Sequence, residues 1–225
     1  MKNLLAKAFG GLILLLLVLA VAIFLPAWTL DYWQAWVFLA AFAISVIIIT
    51  LYLAKRDPQL FERRLNAGPS AEKEKSQKII QAIAQLAFLL VIIVPALDHR
   101  WSWSKMPSYV SIVGDVLVVL GFFMVFKVFR ENTFAAAIIE VDAGQRVIST
   151  GPYAIVRHPM YSGAIVMMLG VPIALGSWWG LLAIVPFTIV IIARLLDEEK
   201  FLAKNLHGYT EYCAEVRWHL VPGIF

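Results

Sequence analysis

Six stretches of this chain are apolar: residues 4–25, 33–53, 79–97, 109–129, 161–176 and 178–196. Apolar runs of about 18 residues or more read as membrane-spanning helices. The fifth run is the exception. Its 16 residues cover about 24 Å as a helix, against a hydrocarbon core of about 30 Å. Pro172 should bend or end it. The last two runs therefore read as a helical hairpin that tilts, or that reaches only part way before turning back. In the second case the count falls to four full spans plus a hairpin.

The polar positions between the runs alternate in charge. The first connection holds Asp31 and no Lys or Arg, whereas residues 54–78 carry Lys55, Arg56, Arg63, Arg64, Lys73, Lys75 and Lys78. Residues 98–108 hold only Arg100 and Lys105, and Arg130, Arg146 and Arg157 follow the fourth run. The Ser177–Gly180 turn is uncharged, and Lys200, Lys204 and Arg217 follow the last run. This alternation predicts both termini on the cytoplasmic side. Trp28, Trp33, Trp36, Trp101, Trp103, Trp178 and Trp179 cluster at the predicted outer ends, where interfacial aromatic anchors belong. Lys2 and Lys7 before an apolar run could also introduce a secretory signal. The run continues past its small residues to Leu25, so a retained first helix is expected.

Three segments outside the runs matter. Residues 131–160 lack a strong period and are too long for a mere connection; their moderate hydrophobicity predicts order. Residues 197–216 place Leu202, Leu206, Tyr209, Tyr212, Cys213 and Val216 at helical spacing, which predicts an amphipathic helix over the end of the bundle. The mixed-charge stretch 54–78 reads as a headgroup-contacting loop, with a contribution to a cofactor lid as the alternative.

Composition agrees. The 225 residues are 61% hydrophobic and 15% charged, and the mean hydropathy is +0.81. The fold class expected is all-α integral membrane, a single domain over 1–225 with N-terminal helices over 1–130 and a further region over 131–222. The net charge of +4 does not imply nucleic acid, because the basic residues lie between apolar runs. One cysteine excludes an internal disulfide, and four dispersed histidines lack ligand spacing, so no metal is expected.

Chemistry concentrates at the ends of the last two runs. Gly151-Pro-Tyr-Ala-Ile-Val-Arg157-His158-Pro159-Met160-Tyr161-Ser-Gly163 opens the fifth, and Arg194-Leu-Leu-Asp197-Glu198-Glu199 closes the sixth. Setting a cation, an imidazole and a phenol against a membrane span is costly unless they bind something. Each residue also has a plainer reading. Arg194 could snorkel and pair with Glu198 one turn on, His158 could start a helix before Pro159, and Tyr153 and Tyr161 could be interfacial anchors.

These two blocks, followed by Gly208-Tyr209-x-x-Tyr212, closely resemble the isoprenylcysteine carboxyl methyltransferase family, and related phospholipid methyltransferases look similar. The resemblance covers roughly residues 130–222. It implies S-adenosylmethionine bound without a Rossmann sheet, among helices and loops at the cytoplasmic face. By position, His158, Pro159, Met160 and Tyr161 would line the cofactor site with Tyr153 close by. Gln145, Arg146, Val147 and Ile148 would offer backbone contacts, and Glu198 would take the amino or ribose groups. Arg194 would be catalytic, orienting the acceptor at the reacting methyl. The acidic run Asp197-Glu198-Glu199 is shorter than the family's, which leaves open which carboxylate meets the cofactor.

The residue types suit that ligand: carboxylates for its ammonium or ribose, donors for its carboxylate, flat apolar walls for its purine. A planar guanidinium at position 194 could hold an acceptor carboxylate bidentately. The expected partners are a lipophilic or lipidated acceptor and membrane lipids. A prenylated cysteine carboxylate is the first acceptor, and the amine of phosphatidylethanolamine is the alternative. A sterol-type reductase using NADPH shares a related Arg-His-Pro-x-Tyr-x-Gly segment, but Ala164 stands here where an acidic residue usually follows. A scaffold or transporter would predict inverted repeats, and the chain shows none.

Overall fold

The computed structural model describes residues 2–65, 72, 74–135, 137–139, 141 and 144–225. Among these, regular structure is entirely helical: α1 (Lys2–Ala27), α2 (Trp33–Arg56), α3 (Pro58–Leu65), α4 (Lys75–Trp101), α5 (Ser108–Glu131), α6 (Pro159–Ala174), α7 (Ile184–Asn205) and α8 (Tyr209–Glu215). Short 3-10 turns occupy Gly151–Ala154 and Trp179–Ala183. Among the described residues five helices are long and apolar enough to cross a membrane, α7 counting together with the turn before it, and α6 is shorter at 16 residues. The chain is a multi-pass membrane protein. Large apolar side chains such as Leu14, Leu17, Val21, Ile44, Val116 and Ile189 stand exposed on the helix surfaces. In water such a surface would drive aggregation, whereas lipid solvates it.

The helices alternate in direction, so their ends form two layers. At one layer Tyr32 Oη donates to the carbonyl of Leu175 at 2.6 Å. Buried Asp98 accepts from Ser104 N and Oγ, both at 2.6 Å, and from Ser177 Oγ. The exposed tryptophans 28, 33, 36, 101, 103, 178 and 179 ring this layer. The opposite layer gathers Leu4 and Leu5 of α1, Leu53 of α2, Leu60 and Phe61 of α3, Val128 and Phe129 of α5 and Met160 of α6 in one apolar cluster. Asp197 of α7 accepts from Ser76 and Gln77 at the start of α4 in the same layer. The start of α1 and the residues after α7 therefore share an end.

The tightest packing is between antiparallel α5 and α6. A Cβ built on Gly114 would stand 2.1 Å from the Ala174 nitrogen, and one on Gly121 would stand 2.5 Å from Met167 Cβ. Glycines on facing helices let the backbones touch, which is how helices gain contact where lipid offers no hydrophobic drive. Consequently α6 packs chiefly on α5 and α7 chiefly on α4. The two arms of the expected hairpin each pack chiefly on another helix, and their polar ends meet again at the Leu53–Met160 layer.

Two expectations change. The tail is not one amphipathic helix over 197–216: α7 runs to Asn205, the chain turns at Gly208 with φ +83°, and α8 begins at Tyr209. A left-handed residue cannot continue a right-handed helix. Nor is the stretch 54–78 only a headgroup-contacting loop. It contains α3, whose Leu60 and Phe61 are buried, and Glu72, buried at 3% exposure. Lys73 lies outside the described residues.

Candidate active site

Pro159 stands at the first position of α6, where a missing N–H is harmless and φ is already helical. That start directs His158 and Tyr161 toward the end of α7. Tyr161 Oη donates to Glu198 Oε2 at 2.6 Å and accepts from Arg194 Nε at 3.1 Å. His158 Nε2 meets Glu199 Oε1 at 3.0 Å, and its ring stacks on that of Tyr161 with centroids 5.6 Å apart. The polar ends of the last two apolar runs therefore meet in one place.

Adjacent residues on a helix point about 100° apart, and this separates the two glutamates. Glu198 lines a cavity. Glu199 turns into a cluster with Arg157 Nη1 at 3.3 Å, His158, and His219 Nε2 at 3.2 Å. Arg157 also donates to the carbonyls of Val216 at 2.6 Å and Cys213 at 2.9 Å. The backbone N–H groups of Arg157 and His158 donate to the carbonyls of Trp218 and His219, both at 2.9 Å. Ser162 Oγ donates to Leu220 O at 2.7 Å. His219 is thus part of this cluster, and the C-terminal segment clamps the start of α6.

The cavity measures about 890 Å³. Gln145, Arg146, Val147, Ile148, Tyr153, His158, Pro159, Met160, Tyr161, Arg194 and Glu198 all line it. Leu206, Tyr209 and Tyr212 line it too, in a small apolar cluster with Val147 and Tyr153. Tyr212 Oη donates to Tyr153 O at 2.8 Å, and Asn132 Nδ2 donates to Tyr153 Oη at 2.9 Å. Burial pushes the Tyr153 phenol up to about 12, so it stays a neutral wall. The cavity continues away from these polar groups between apolar residues of α1, α2 and α5, among them Leu12, Ile49, Leu53, Phe122 and Val125.

Arg194 is 6% exposed, and its guanidinium is engaged within the protein. Nη2 donates to Glu72 Oε1 at 2.6 Å and lies 3.5 Å from Ala137 O, while Nη1 donates to Gln81. Glu72 Oε2 in turn accepts from Ile139 N at 3.1 Å. The bidentate edge expected to face an acceptor carboxylate is therefore turned to Glu72 and Gln81, because a buried guanidinium must satisfy its donors. The expected one-turn pair with Glu198 is likewise indirect, passing through Tyr161.

The sequence reading missed Arg64, Glu72, Gln81, Asn132 and Tyr209 as residues of this site. Arg64 and Glu72 stand in a charged stretch with no period that points inward. Tyr209 and Tyr212, three apart and so on one helix face, were legible as a pair.

Residues 109–208 match the phospholipid methyltransferase family. This region belongs to that family. Probable protein-S-isoprenylcysteine O-methyltransferases of Oryza sativa, from subspecies indica and japonica, are each 26% identical over 201 residues, spanning 81% of this chain and 93% of theirs. A delta(14)-sterol reductase of Mus musculus is 28% identical over 90 residues, 39% of this chain and 22% of its own length. The rice relatives carry the name of the family the sequence motifs resemble, the matched family is the similar one named beside it, and together they support a membrane methyltransferase. The reductase likeness is confined to a minority of both chains.

Proposed function

We propose that the protein is an S-adenosylmethionine-dependent methyltransferase acting on a lipophilic acceptor, most like the O-methylation of a prenylated cysteine carboxylate. One observation carries the reading: a single cavity joins a polar lobe at Tyr153, Tyr161 and Glu198 to an apolar lobe between α1, α2 and α5. Its volume of about 890 Å³ falls within the usual small-molecule range of about 300–1,000 Å³. The polar lobe fits the cofactor by chemistry, with a cavity-facing carboxylate at Glu198, phenol walls at Tyr153 and Tyr161, and backbone at Gln145 to Ile148.

When bound, S-adenosylmethionine supplies an electrophilic methyl group on a sulfonium. A carboxylate acceptor is already an anion and needs no base, so the work left to the protein is placement and exclusion of water. Glu198 binds the cofactor's ammonium or ribose hydroxyls. Tyr161, held between Arg194 and Glu198, fixes the carboxylate's direction. His158 and Glu199 hold the start of α6, and with it Tyr161, against α7. Arg194, paired with Glu72, acts at the reacting end through Tyr161.

The Lys and Arg residues concentrate at the layer that holds this site, which supports a cytoplasmic site and cytoplasmic termini. The cofactor would enter from that side, and the acceptor from the bilayer.

Titration calorimetry of S-adenosylmethionine into the folded protein in detergent tests the reading. Binding is expected, and weaker binding in Glu198→Ala and His158→Ala; no heat from folded wild-type protein would sink it. The family match favours a second acceptor, a phosphatidylethanolamine amine, for which a cavity carboxylate such as Glu198 would matter more than an arginine. Transfer of a labelled methyl group to each acceptor separates the two.

A further inference from the structure

We infer that Asn132 is a positioning residue: it fills the accepting side of the Tyr153 hydroxyl, and so leaves that phenol a hydrogen-bond donor to an oxygen of the bound ligand. The inference rests on the methyltransferase reading and deepens it.

The direction of the Asn132–Tyr153 bond is fixed by a third residue. A side-chain amide can present its oxygen or its nitrogen, and the hydrogen bonds around it decide which. The backbone N–H of Phe134, which can only donate, lies 2.9 Å from Asn132 Oδ1. That assigns the oxygen, so the amide nitrogen is the atom that meets Tyr153 Oη, at 2.9 Å. The backbone around the amide is held as well. Asn132 ends α5 with its own N–H on Val128 O at 2.9 Å, and its carbonyl accepts from Ala135 N at 3.3 Å.

Tyr153 is held from both sides. Its N–H donates to Thr150 O at 3.1 Å, and its carbonyl accepts from Tyr212 Oη at 2.8 Å. Its ring packs against both apolar clusters of the site, the one at Leu53 and Phe129 and the one at Leu206 and Tyr209. A phenol both donates and accepts. Asn132 takes the accepting side, and among the described residues the hydroxyl hydrogen has no acceptor. Burial pushes the phenol up to about 12 despite the Asn132 bond, so the hydrogen stays in place near neutrality. Asn132, Phe134 and Tyr153 all line the cavity. The hydrogen is therefore left for a ligand that fills it. Both ligands of the proposed reaction carry a carboxylate, the cofactor at its amino-acid end and a prenylated cysteine at its reacting end. Either can accept from a phenol, whereas an ammonium only donates.

The first arm of the test needs no ligand. The phenol C–O stretch of Tyr153, isolated as the infrared difference between the full chain and its Tyr153→Phe variant, reports whether the hydroxyl accepts or donates. In wild type the band should lie at the accepting position. Asn132→Asp keeps an acceptor for Phe134 N but can only accept from Tyr153, so the bond reverses and the band should move to the donating position. A wild-type band at the donating position overturns the inference, even where the variant folds poorly; so does a band that the substitution leaves unmoved. The second arm titrates S-adenosylhomocysteine and N-acetyl-S-farnesylcysteine into the same proteins in detergent. The probe whose carboxylate meets the hydroxyl should bind roughly tenfold or more weakly to Asn132→Asp, as expected for a hydrogen bond to a charged group. In the Tyr153→Phe background the same substitution should cost far less, because no hydroxyl is left to redirect. Equal losses in the two backgrounds for both probes overturn the inference and leave Asn132 a structural residue. Failure of the methyltransferase reading shows instead as no S-adenosylhomocysteine binding by folded wild type, and the infrared arm then decides Asn132 by itself.

Discussion

Tyr161 donates a 2.6 Å hydrogen bond to Glu198, and with it the start of α6 is joined to the end of α7. Each helix packs chiefly on another neighbour, so this contact joins them beside the cavity that both residues line. Its hydroxyl also accepts from Arg194. Tyr161→Phe should leave both charged groups short of a partner, a loss of about 1–3 kcal/mol. Turnover with a lipophilic acceptor should fall roughly tenfold or more, and cofactor affinity should weaken. Full activity in Tyr161→Phe would remove the phenol from the site.

Glu198 and Glu199 should separate cleanly when each is changed to Gln. Glu199 holds Arg157, His158 and His219, so its loss should lower the melting temperature and expose the C-terminal segment to protease. Glu198 faces the cavity, so its loss should reduce cofactor affinity with little change in melting temperature. Thermal melts and calorimetry on the same samples check the contrast.

Glu72→Ala should be more damaging than its place in a charged stretch suggests. It would leave the buried Arg194 guanidinium without its 2.6 Å carboxylate, a loss of about 3–5 kcal/mol for a buried pair. Reduced stability together with lost turnover is expected, with partial recovery in Glu72→Asp. A melt indistinguishable from wild type would show that the pair does not form.

Gly114→Leu should prevent α5 and α6 from meeting, because even a Cβ there would stand 2.1 Å from backbone. Gly10→Ala is the control: a Cβ at that position meets nothing within 4 Å, and it should fold as wild type. Yield of monodisperse protein in detergent compares them.

The layer of the site should face the cytosol. In a Cys213→Ser background, single cysteines at Gly144 and His207 should react with an impermeant maleimide from the cytoplasmic side, and one at Trp103 from the opposite side. Labelling of positions 103 and 144 from the same side would contradict the layered arrangement.

The apolar runs alone determined the long membrane helices, because a spanning segment must satisfy its own backbone hydrogen bonds and so declares itself by length. The alternation of charge declared which ends lie together. His158, Tyr161, Arg194 and Glu198 were legible for a similar local reason, as polar groups set where an apolar run starts or stops, whereas residues 145–148 were indicated by the family resemblance alone. What each does there depended on the tertiary structure. Which of Glu198 and Glu199 faces the cavity follows from the rotation of α7 against α4. Arg194's partner Glu72 lies more than a hundred residues away, and Arg64 reaches the site from a helix the hydrophobic pattern did not announce. Such pairings come from packing, and a sequence with no period at those positions carries no local trace of them.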